Sequence, residues 1–329
     1  MNLSKQNIIT LWLLSGLSLV LLMIIIGGIT RITESGLSIA HWSLSGDLPT
    51  KENMINAYLE WKQTPQGKLL ESMDINKFRH IYIWEYIHRM TGRLLGVLFI
   101  LPFIFFSIKK WIKRADMKKY IYLLILGFLQ ALIGWWMVRS GLIENPRVSH
   151  IRLAIHFIAA LILAAYILWM ILDKNYNKIG IPKIHNLSKG FLLLLFLQLI
   201  YGAFTAGLRA GHLVDAKYPI MTIIGYFHPE GMRNLDIINN PYNVQFIHRT
   251  LAWIIVWYAL YIWKKTRKTQ ISTIGNIFLI TIILQITLGV LTILLNMQKE
   301  IALMHQFIAA ILVLVTISIL FLSDSNEKR

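Results

Sequence analysis

The sequence EYIHRMTGR, residues 85–93, opens a long apolar run and guides the interpretation of the whole chain. It places an acid, a histidine and two arginines at the edge of a segment that is otherwise hydrophobic. Ionisable side chains are costly inside a bilayer and are seldom kept there without a function. The pattern returns as QFIHR at residues 245–249, and His156 and His305 lie near the start of two other apolar runs. Four histidines in two matched pairs are therefore the feature that a function must explain.

Composition assigns the chain to the membrane proteins. Hydrophobic residues make up 56% of the 329 residues, charged residues make up 15%, and the mean hydropathy is +0.57. The apolar residues come in blocks of membrane-spanning length. A net charge of +17 would suit nucleic acid, but the lysines and arginines lie mainly in loops between apolar blocks, as the positive-inside pattern requires. We therefore expect the lipid bilayer, and no nucleic acid, as a partner.

The chain contains no cysteine. This excludes structural disulfides, thiolate metal sites and thiol catalysis together. Histidine is therefore the strong transition-metal ligand that remains within the apolar segments.

The apolar blocks predict eight transmembrane helices. They cover residues 8–29, 84–107, 120–138, 148–172, 190–208, 244–263, 274–295 and 301–322. Basic runs follow the second, fourth and sixth helices, so we expect both termini to be cytoplasmic. The chain enters its first helix without an Arg- and Ser-rich transit segment, which favours a bacterial inner membrane over a mitochondrion. Prolines and glycines argue against a further helix in the outer loop 209–242.

The two halves of the chain match each other in order, at offsets that fall from 175 to 149 residues. The matched pairs are Gly27 with Gly202, Thr30 with Thr205, His88 with His248, Arg89 with Arg249, Gln130 with Gln285, Gly134 with Gly289 and His156 with His305. Because four helices separate the copies, both halves have the same orientation. We therefore predict an all-α polytopic membrane protein built as two parallel four-helix bundles, residues 1–172 and 190–329, joined by an inner linker at 173–189.

The four histidines are predicted to lie in the outer third of the even-numbered helices. Two of them stand at similar depth within each half: His88 with His156, and His248 with His305. Two imidazoles on facing helices of a bundle are the usual axial ligands of a bis-histidine haem. A single intramembrane histidine is more often part of an interhelical hydrogen bond, but the matched pairing favours haem ligation, toward the outer face.

Arginines are concentrated in the predicted outer segments, whereas lysines are concentrated inside. Membrane topology would be satisfied equally well by lysine, so the concentration of arginine in the outer segments needs a separate cause. Guanidinium groups pair with carboxylates in bidentate geometry, and a haem presents two propionates. The candidate propionate partners, each within a few residues of a histidine, are Arg89, Arg93, Arg152 and Arg249. Snorkelling of these side chains onto lipid phosphates is the alternative.

Glu85 is the element that breaks the symmetry. It precedes His88 by three residues, so both side chains share one helical face, and the matched position of the second half is Gln245. A carboxylate in one site and an amide in the other indicates one reactive haem and one that transfers electrons. Two alternatives are an acid that complements a helix N-terminus and an ion pair with Arg89 or Arg152.

Taken together, these motifs resemble those of the haem A synthase family. The stretches that carry the resemblance are EYIHRMTGR, VSHIRLAIH at 148–156, FIHRTLAW at 246–253, Met304-His305-Gln306, GGITRITESGLSI in the first outer loop and GAFTAGLRAG after the fifth helix. The likeness covers nearly the whole chain in order and spacing. In having no cysteine, the chain resembles the branch of that family found in proteobacteria and mitochondria.

The resemblance implies an oxidoreductase. Members of this family oxidise the C8 methyl group of haem O to a formyl group, through a hydroxymethyl intermediate, and so make haem A for cytochrome c oxidase. The resemblance implies a role for each matching position of this chain. His88 and His156 would hold the substrate haem, and His248 and His305 would hold a cofactor haem b. Glu85 would be the catalytic acid. A haem O synthase is then the expected partner, together with an electron acceptor that the residues do not identify.

Two other functions use the same features. A di-haem membrane cytochrome b that passes electrons from a quinol to an outer acceptor needs the four histidines but no acid at Glu85. A transporter built from two repeats should gather its polar residues in broken helices at the midplane, whereas here they gather at one face. The single carboxylate and the long glycine-rich outer loops favour chemistry on one haem.

Overall fold

The computed structural model describes residues 4–41, 48–143, 145–213 and 229–325, and these residues form helices joined by loops, with no β-strand among them. The helices are α1 (Lys5–Ile32), α2 (Lys51–Gln63), α3 (Pro65–Leu69), α4 (Ile75–Ile108), α5 (Met117–Leu142), α6 (His150–Asn175), α7 (Pro182–Gly207), α8 (Pro229–Arg233), α9 (Pro241–Thr266), α10 (Ser272–Leu294) and α11 (Lys299–Ser323). A 3₁₀ turn, Ala210–Leu213, follows α7.

Eight of these helices, α1, α4, α5, α6, α7, α9, α10 and α11, are long and apolar enough to cross a membrane. The shortest has 23 residues, which at a rise of about 1.5 Å per residue exceeds the roughly 30 Å of a bilayer core. The predicted all-α fold with eight spanning helices is therefore confirmed. In the predicted outer loop 209–242, the described residues hold only the 3₁₀ turn and the five-residue α8, and residues 214–228 lie outside the described part.

Helix α4 begins at Ile75, well before the predicted start near residue 84. Asp74 caps it, because its carboxylate accepts a hydrogen bond of 2.9 Å from the Lys77 backbone N–H, which lowers the pKa of Asp74. The added turns bury Phe78, Ile81 and Tyr82 at helical spacing. This extension is stable because it has an apolar partner in the preceding loop.

That partner is α2, which lies in the loop between the first two predicted spanning helices. Its buried Met54 and Trp61 join Ile39 and the α4 side chains in a small core, here named the Trp61 cluster: Ile39, Met54, Trp61, Phe78, Ile81 and Tyr82. Gln66 connects α3 to this core. Its Oε1 accepts a hydrogen bond of 2.9 Å from Trp61 Nε1, and its Nε2 donates one of 3.0 Å to the Glu34 carbonyl. The loop before α4 is therefore a folded cap.

Contacts along the chain divide it into two compact units, Met1–Leu163 and Ala164–Arg329, with the boundary inside α6. In the first unit α4 packs against α1, α2 and α5. In the second unit α7 packs against α9 and α11, and α10 packs against the same two helices. The predicted domain limits at 172 and 190 and the parallel-repeat arrangement stay predictions.

The segment after α6 is fixed to the end of α11. The Ile179 and Ile181 backbone N–H groups donate to the Leu322 and Ser323 carbonyls, both at 2.8 Å. Lys178 Nζ lies 2.5 Å from Asp324 Oδ2, and this hydrogen bond holds the pKa of Asp324 below its usual value. The predicted inner linker is thus anchored by the chain's C-terminal helix.

Candidate functional site

Each of the four predicted histidines packs its imidazole ring against a glycine of the preceding spanning helix. The pairs, with the distance from a Cβ built on the glycine to the nearest ring atom, are His88 with Gly27 (3.5 Å), His156 with Gly134 (2.9 Å), His248 with Gly202 (3.0 Å) and His305 with Gly289 (3.0 Å). A real side chain at the last three glycines would press on the ring. Glycine at these positions makes room for imidazole.

The glycines follow the same order as the histidines in both halves. Gly27 and Gly202 were matched by sequence, as were Gly134 and Gly289, although no role was assigned to any of them. Each half thus contains the same arrangement twice: a histidine on one helix packs against a glycine on the preceding spanning helix. The repeat match was a signal that these glycines contact the histidines, and sequence analysis did not use it.

Within each half the two histidines are near neighbours. His88 and His156 are close enough to interact electrostatically, and so are His248 and His305. The described residues contain no group of three or more His, Cys, Asp or Glu placed to hold a metal ion. A pair of imidazoles supplies only two ligands, which suits an iron whose other four come from a porphyrin. The donor set of each half therefore fits a haem better than a bare ion.

Buried polar atoms support this fit. Among the described residues, Gln130 Oε1, Gln198 Oε1, Gln285 Oε1 and His248 Nδ1 are buried without a hydrogen-bond partner. An unmade hydrogen bond of this kind costs about 1–3 kcal/mol, so such atoms are seldom left bare in a native protein. Because these atoms belong to His248 and to glutamines that contact the histidines, a ligand or water beside the histidines would satisfy them.

Glutamines contact three of the four histidines. Gln130 Nε2 lies 3.3 Å from His156 Nδ1 and donates 3.2 Å to the His156 carbonyl. Gln198 Nε2 donates 3.0 Å to the His248 carbonyl. Gln285 Nε2 lies 3.3 Å from His305 Nε2.

Glu85 is buried, with 3% of its surface exposed. Its Oε2 accepts three hydrogen bonds, from the Ser38 N–H (2.7 Å), the Ser38 hydroxyl (2.7 Å) and the Ile39 N–H (2.9 Å). Helix α4 begins at Ile75, so Glu85 lies well inside it, and the alternative of an acid at a helix N-terminus does not hold. Its partners come instead from the loop after α1.

Arg89 provides the charge opposite Glu85. Its Nη2 and Nε lie 2.6 Å and 3.0 Å from Glu85 Oε1, so two nitrogens of the guanidinium group donate to the same carboxylate oxygen. Arg89 also donates to the Ile39 carbonyl (2.7 Å) and the His41 carbonyl (2.8 Å). Most donors of Arg89 are thus engaged within the protein, and the loop 38–41 is fastened to α4 through this one ion pair.

The matched position of the second half is neutral. Gln245 is 7% exposed, and its Oε1 accepts a hydrogen bond of 2.7 Å from Arg249 Nη2. The same spacing therefore gives an ion pair in the first half and an amide–guanidinium hydrogen bond in the second.

The other two candidate arginines lie beside different groups. Arg152 lies over the Trp136 ring at 4.5 Å and donates 2.9 Å to the Trp136 carbonyl. Arg93 Nη1 lies 2.9 Å from Met90 Sδ. The structure thus pairs Glu85 with Arg89, and the ion pair with Arg152 that sequence analysis left open is absent from the described contacts. Ser38 and the backbone of Ile39 were missed, because nothing in the pattern places their loop beside α4.

Comparisons with known proteins identify the family of this chain. The family model described as cytochrome oxidase assembly protein matches residues 10–317. Relatives named haem A synthase include those of Flavobacterium johnsoniae (38% identical over 324 residues, 93% of this chain and 95% of the relative), Pelagibacter ubique (38% over 329 residues, 96% of each) and Wolbachia pipientis wMel (37% over 318 residues, 92% and 89%). The chain belongs to the cytochrome oxidase assembly protein family.

Proposed function

We propose that this protein is a haem A synthase, an oxidoreductase that converts the C8 methyl group of haem O to a formyl group through a hydroxymethyl intermediate. Membership of the family and the shared name of its relatives support the reaction. The observation that carries the proposal is the buried carboxylate of Glu85, which precedes His88 by three residues, whereas the matched residue before His248 is Gln245. An electron-transfer cytochrome needs both pairs and no acid.

The two haems are assigned by that carboxylate. His88 and His156 hold the substrate, haem O, because Glu85 shares the helix and face of His88. His248 and His305 hold a resident haem b, because the matched residue beside them is the neutral Gln245. When bound, this haem b supplies a one-electron redox centre to the second half.

The carboxylate of Glu85 is held by hydrogen bonds on both of its oxygens. Three donors on Oε2 and the Arg89 guanidinium on Oε1 stabilise a carboxylate in a buried setting. Oxidation of a methyl group to a formyl group proceeds in two two-electron steps, the first of which also adds one oxygen atom to the carbon. A fixed carboxylate near the reacting carbon can stabilise positive charge there and accept a proton. The roles that follow are a charge stabiliser and base at Glu85 and an orienting partner at Arg89.

The propionate role proposed for arginine is best supported away from Arg89. Arg89 is committed to Glu85 and two carbonyls. Arg93, Arg152 and Arg249 remain candidates because each is close in sequence to a haem histidine. Arg152 is held over Trp136, which orients its guanidinium group by a cation–π contact.

We also propose a location in the bacterial cell membrane with both termini in the cytoplasm and both haems toward the outer face. The support is the distribution of lysines in alternate loops. A haem O synthase would then deliver a substrate whose long apolar tail suits the bilayer, and a separate acceptor would take the electrons.

The test is mass analysis of the haems extracted from the purified full chain, expressed with and without a haem O synthase. Wild type should carry haem A or its hydroxymethyl precursor in addition to haem b, and Glu85→Gln should accumulate haem O. Glu60→Gln is the matched control, since Glu60 is an exposed acid of the same cap that pairs with His41. Haem b alone in every sample, with haem O present in the cells, would favour the cytochrome.

A further inference from the structure

The groups that donate to Glu85 Oε2 belong to a buried loop that follows α1, residues 34–39. Four residues of this loop are at most 5% exposed: Ser35, Leu37, Ser38 and Ile39. Loops normally run over a protein surface, because buried backbone polar groups need partners inside the protein. The N–H groups of Ser38 and Ile39 use Glu85 as that partner. The position of the carboxylate is therefore only as fixed as the loop itself.

The chain turns sharply at Glu34, where the loop leaves α1. The φ of Glu34 is 59°, in the left-handed region that residues other than glycine seldom adopt. The Ser35 N–H closes the turn by donating a hydrogen bond of 2.9 Å to the Thr30 carbonyl. A backbone conformation of this kind persists only where the surrounding structure holds it. The loop therefore needs a contact at Glu34 as well as one at Glu85.

Gln66 on α3 makes that contact. Its Nε2 donates a hydrogen bond of 3.0 Å to the Glu34 carbonyl, and the residue is only 4% exposed. Its Oε1 accepts a hydrogen bond of 2.9 Å from Trp61 Nε1. Because an indole N–H can only donate, this second bond decides which end of the amide faces Trp61 and turns Nε2 toward Glu34. Gln66 thus joins the folded cap to the start of the loop.

We propose that Gln66 is a positioning residue for the reaction. Through the Glu34 carbonyl it fixes the loop 34–39, and the loop in turn fixes the carboxylate of Glu85. The inference rests on the proposed function, in which Glu85 acts on the substrate haem. The hydrogen bonds described for Gln66 are to Trp61 and Glu34, so its effect on the carboxylate is exerted through the loop.

The first measurement reports the position of the loop and needs no haem. Because the chain has no cysteine, Ser35→Cys introduces a single thiol into the loop of the purified full chain. A buried thiol reacts with a maleimide only when the loop opens. Adding Gln66→Leu removes the bond to the Glu34 carbonyl, so we expect labelling to become several-fold faster. Trp61→Phe is the matched control. It removes the indole N–H but leaves the bond from Gln66 to Glu34, so labelling should stay at the rate of Ser35→Cys alone.

The second measurement reports the reaction. Wild type, Gln66→Leu and Trp61→Phe, without the added cysteine, are each expressed with a haem O synthase, and the extracted haems are identified by mass. A displacement of about 1 Å can cost about a hundredfold in rate, so we expect the oxidised share of the haem to fall at least about tenfold in Gln66→Leu, while haem O stays bound. Trp61→Phe should oxidise haem O as wild type does, even though thermal unfolding shows a less stable protein.

The proposal is overturned if Gln66→Leu leaves the labelling rate unchanged or oxidises as much haem O as wild type. Equal effects of Trp61→Phe in both measurements would also overturn it, because loss of cap stability would then explain the result. Failure of the proposed function would look different. Haem b alone in wild type would remove the synthase reaction, whereas the labelling rates would still show whether Gln66 fixes the loop.

Discussion

The two halves of the molecule share a frame of four histidines and four glycines but differ in the polar groups that surround it. In the first half a buried carboxylate receives five hydrogen bonds from Ser38, Ile39 and Arg89. In the second half the matched Gln245 is an amide bonded to Arg249. A repeat can therefore keep its ligand geometry while a single residue and one loop change what a bound group experiences.

The loop that makes this difference belongs to the first half. Residues 38–41 reach Glu85 and Arg89 because the Trp61 cluster, which includes Ile39, holds α2 against the extended start of α4. At the place of Ser38 the second half has Leu213, the last residue of the 3₁₀ turn, which is 42% exposed.

The largest difference between the halves is expected in the stability lost when Arg89 or its counterpart Arg249 is replaced. Arg89→Leu leaves Glu85 as an uncompensated buried charge, which typically costs about 3–5 kcal/mol. Arg249→Leu leaves only a neutral amide with an unmade hydrogen bond, which costs about 1–3 kcal/mol. Thermal unfolding of both variants in the same detergent measures the difference. Equal losses would contradict the expected difference between the ion pair of the first half and the amide–guanidinium bond of the second.

Ser38→Ala should have the next largest effect. It removes one hydrogen bond to a carboxylate, worth about 1.5–3 kcal/mol, and leaves the two backbone donors in place. We expect the ratio of hydroxymethyl haem to haem A among extracted products to rise, because the carboxylate is less firmly fixed. Ser38→Thr keeps the hydroxyl and should restore the ratio. An unchanged ratio in Ser38→Ala would exclude a role for this hydroxyl in turnover.

The glycines offer a comparison within the first half. Alanine at Gly134 would place its Cβ 2.9 Å from the His156 ring, whereas at Gly27 the nearest ring atom is 3.5 Å away, an ordinary contact. Overpacking of this kind costs about 1–3 kcal/mol. Gly134→Ala should therefore lose haem from the first half and Gly27→Ala should retain it, as measured by the haem-to-protein ratio. Similar ratios would show that the glycines do not set the ring positions.

The smallest effect on stability is expected at the Lys178–Asp324 ion pair, beside the end of α11 in the second half. The pKa of Asp324 is lowered by Lys178, so this pair adds stability above the unfolded carboxyl pKa of about 3.9 and loses it as pH falls through the lower folded value. The pair is about a quarter exposed, so Asp324→Asn should cost less than about 1 kcal/mol at neutral pH. The gap between variant and wild type should close below about pH 4. Asp116→Asn, at an exposed pair with Lys119, is the control.

Sequence predicted the spanning helices well because apolar length and basic loops are local signals. The histidines and Glu85 were also found locally, since an ionisable residue in an apolar run is conspicuous. The cap of α2 and α3 was missed because its amphipathic pattern is short and its apolar partner lies on α4, well along the chain. Ser38 and the histidine contacts of Gln130 and Gln285 were missed because a hydrogen bond between distant segments has no sequence spacing.

The central claim is that the two histidine pairs hold different haems, and it is tested most directly by removing one ligand from each half. The measurement is mass analysis of haems bound to His156→Ala and to His305→Ala, each expressed with a haem O synthase. We predict that His156→Ala loses haem O and its oxidised products but keeps haem b, and that His305→Ala loses haem b. Loss of the same haem from both variants would contradict the assignment.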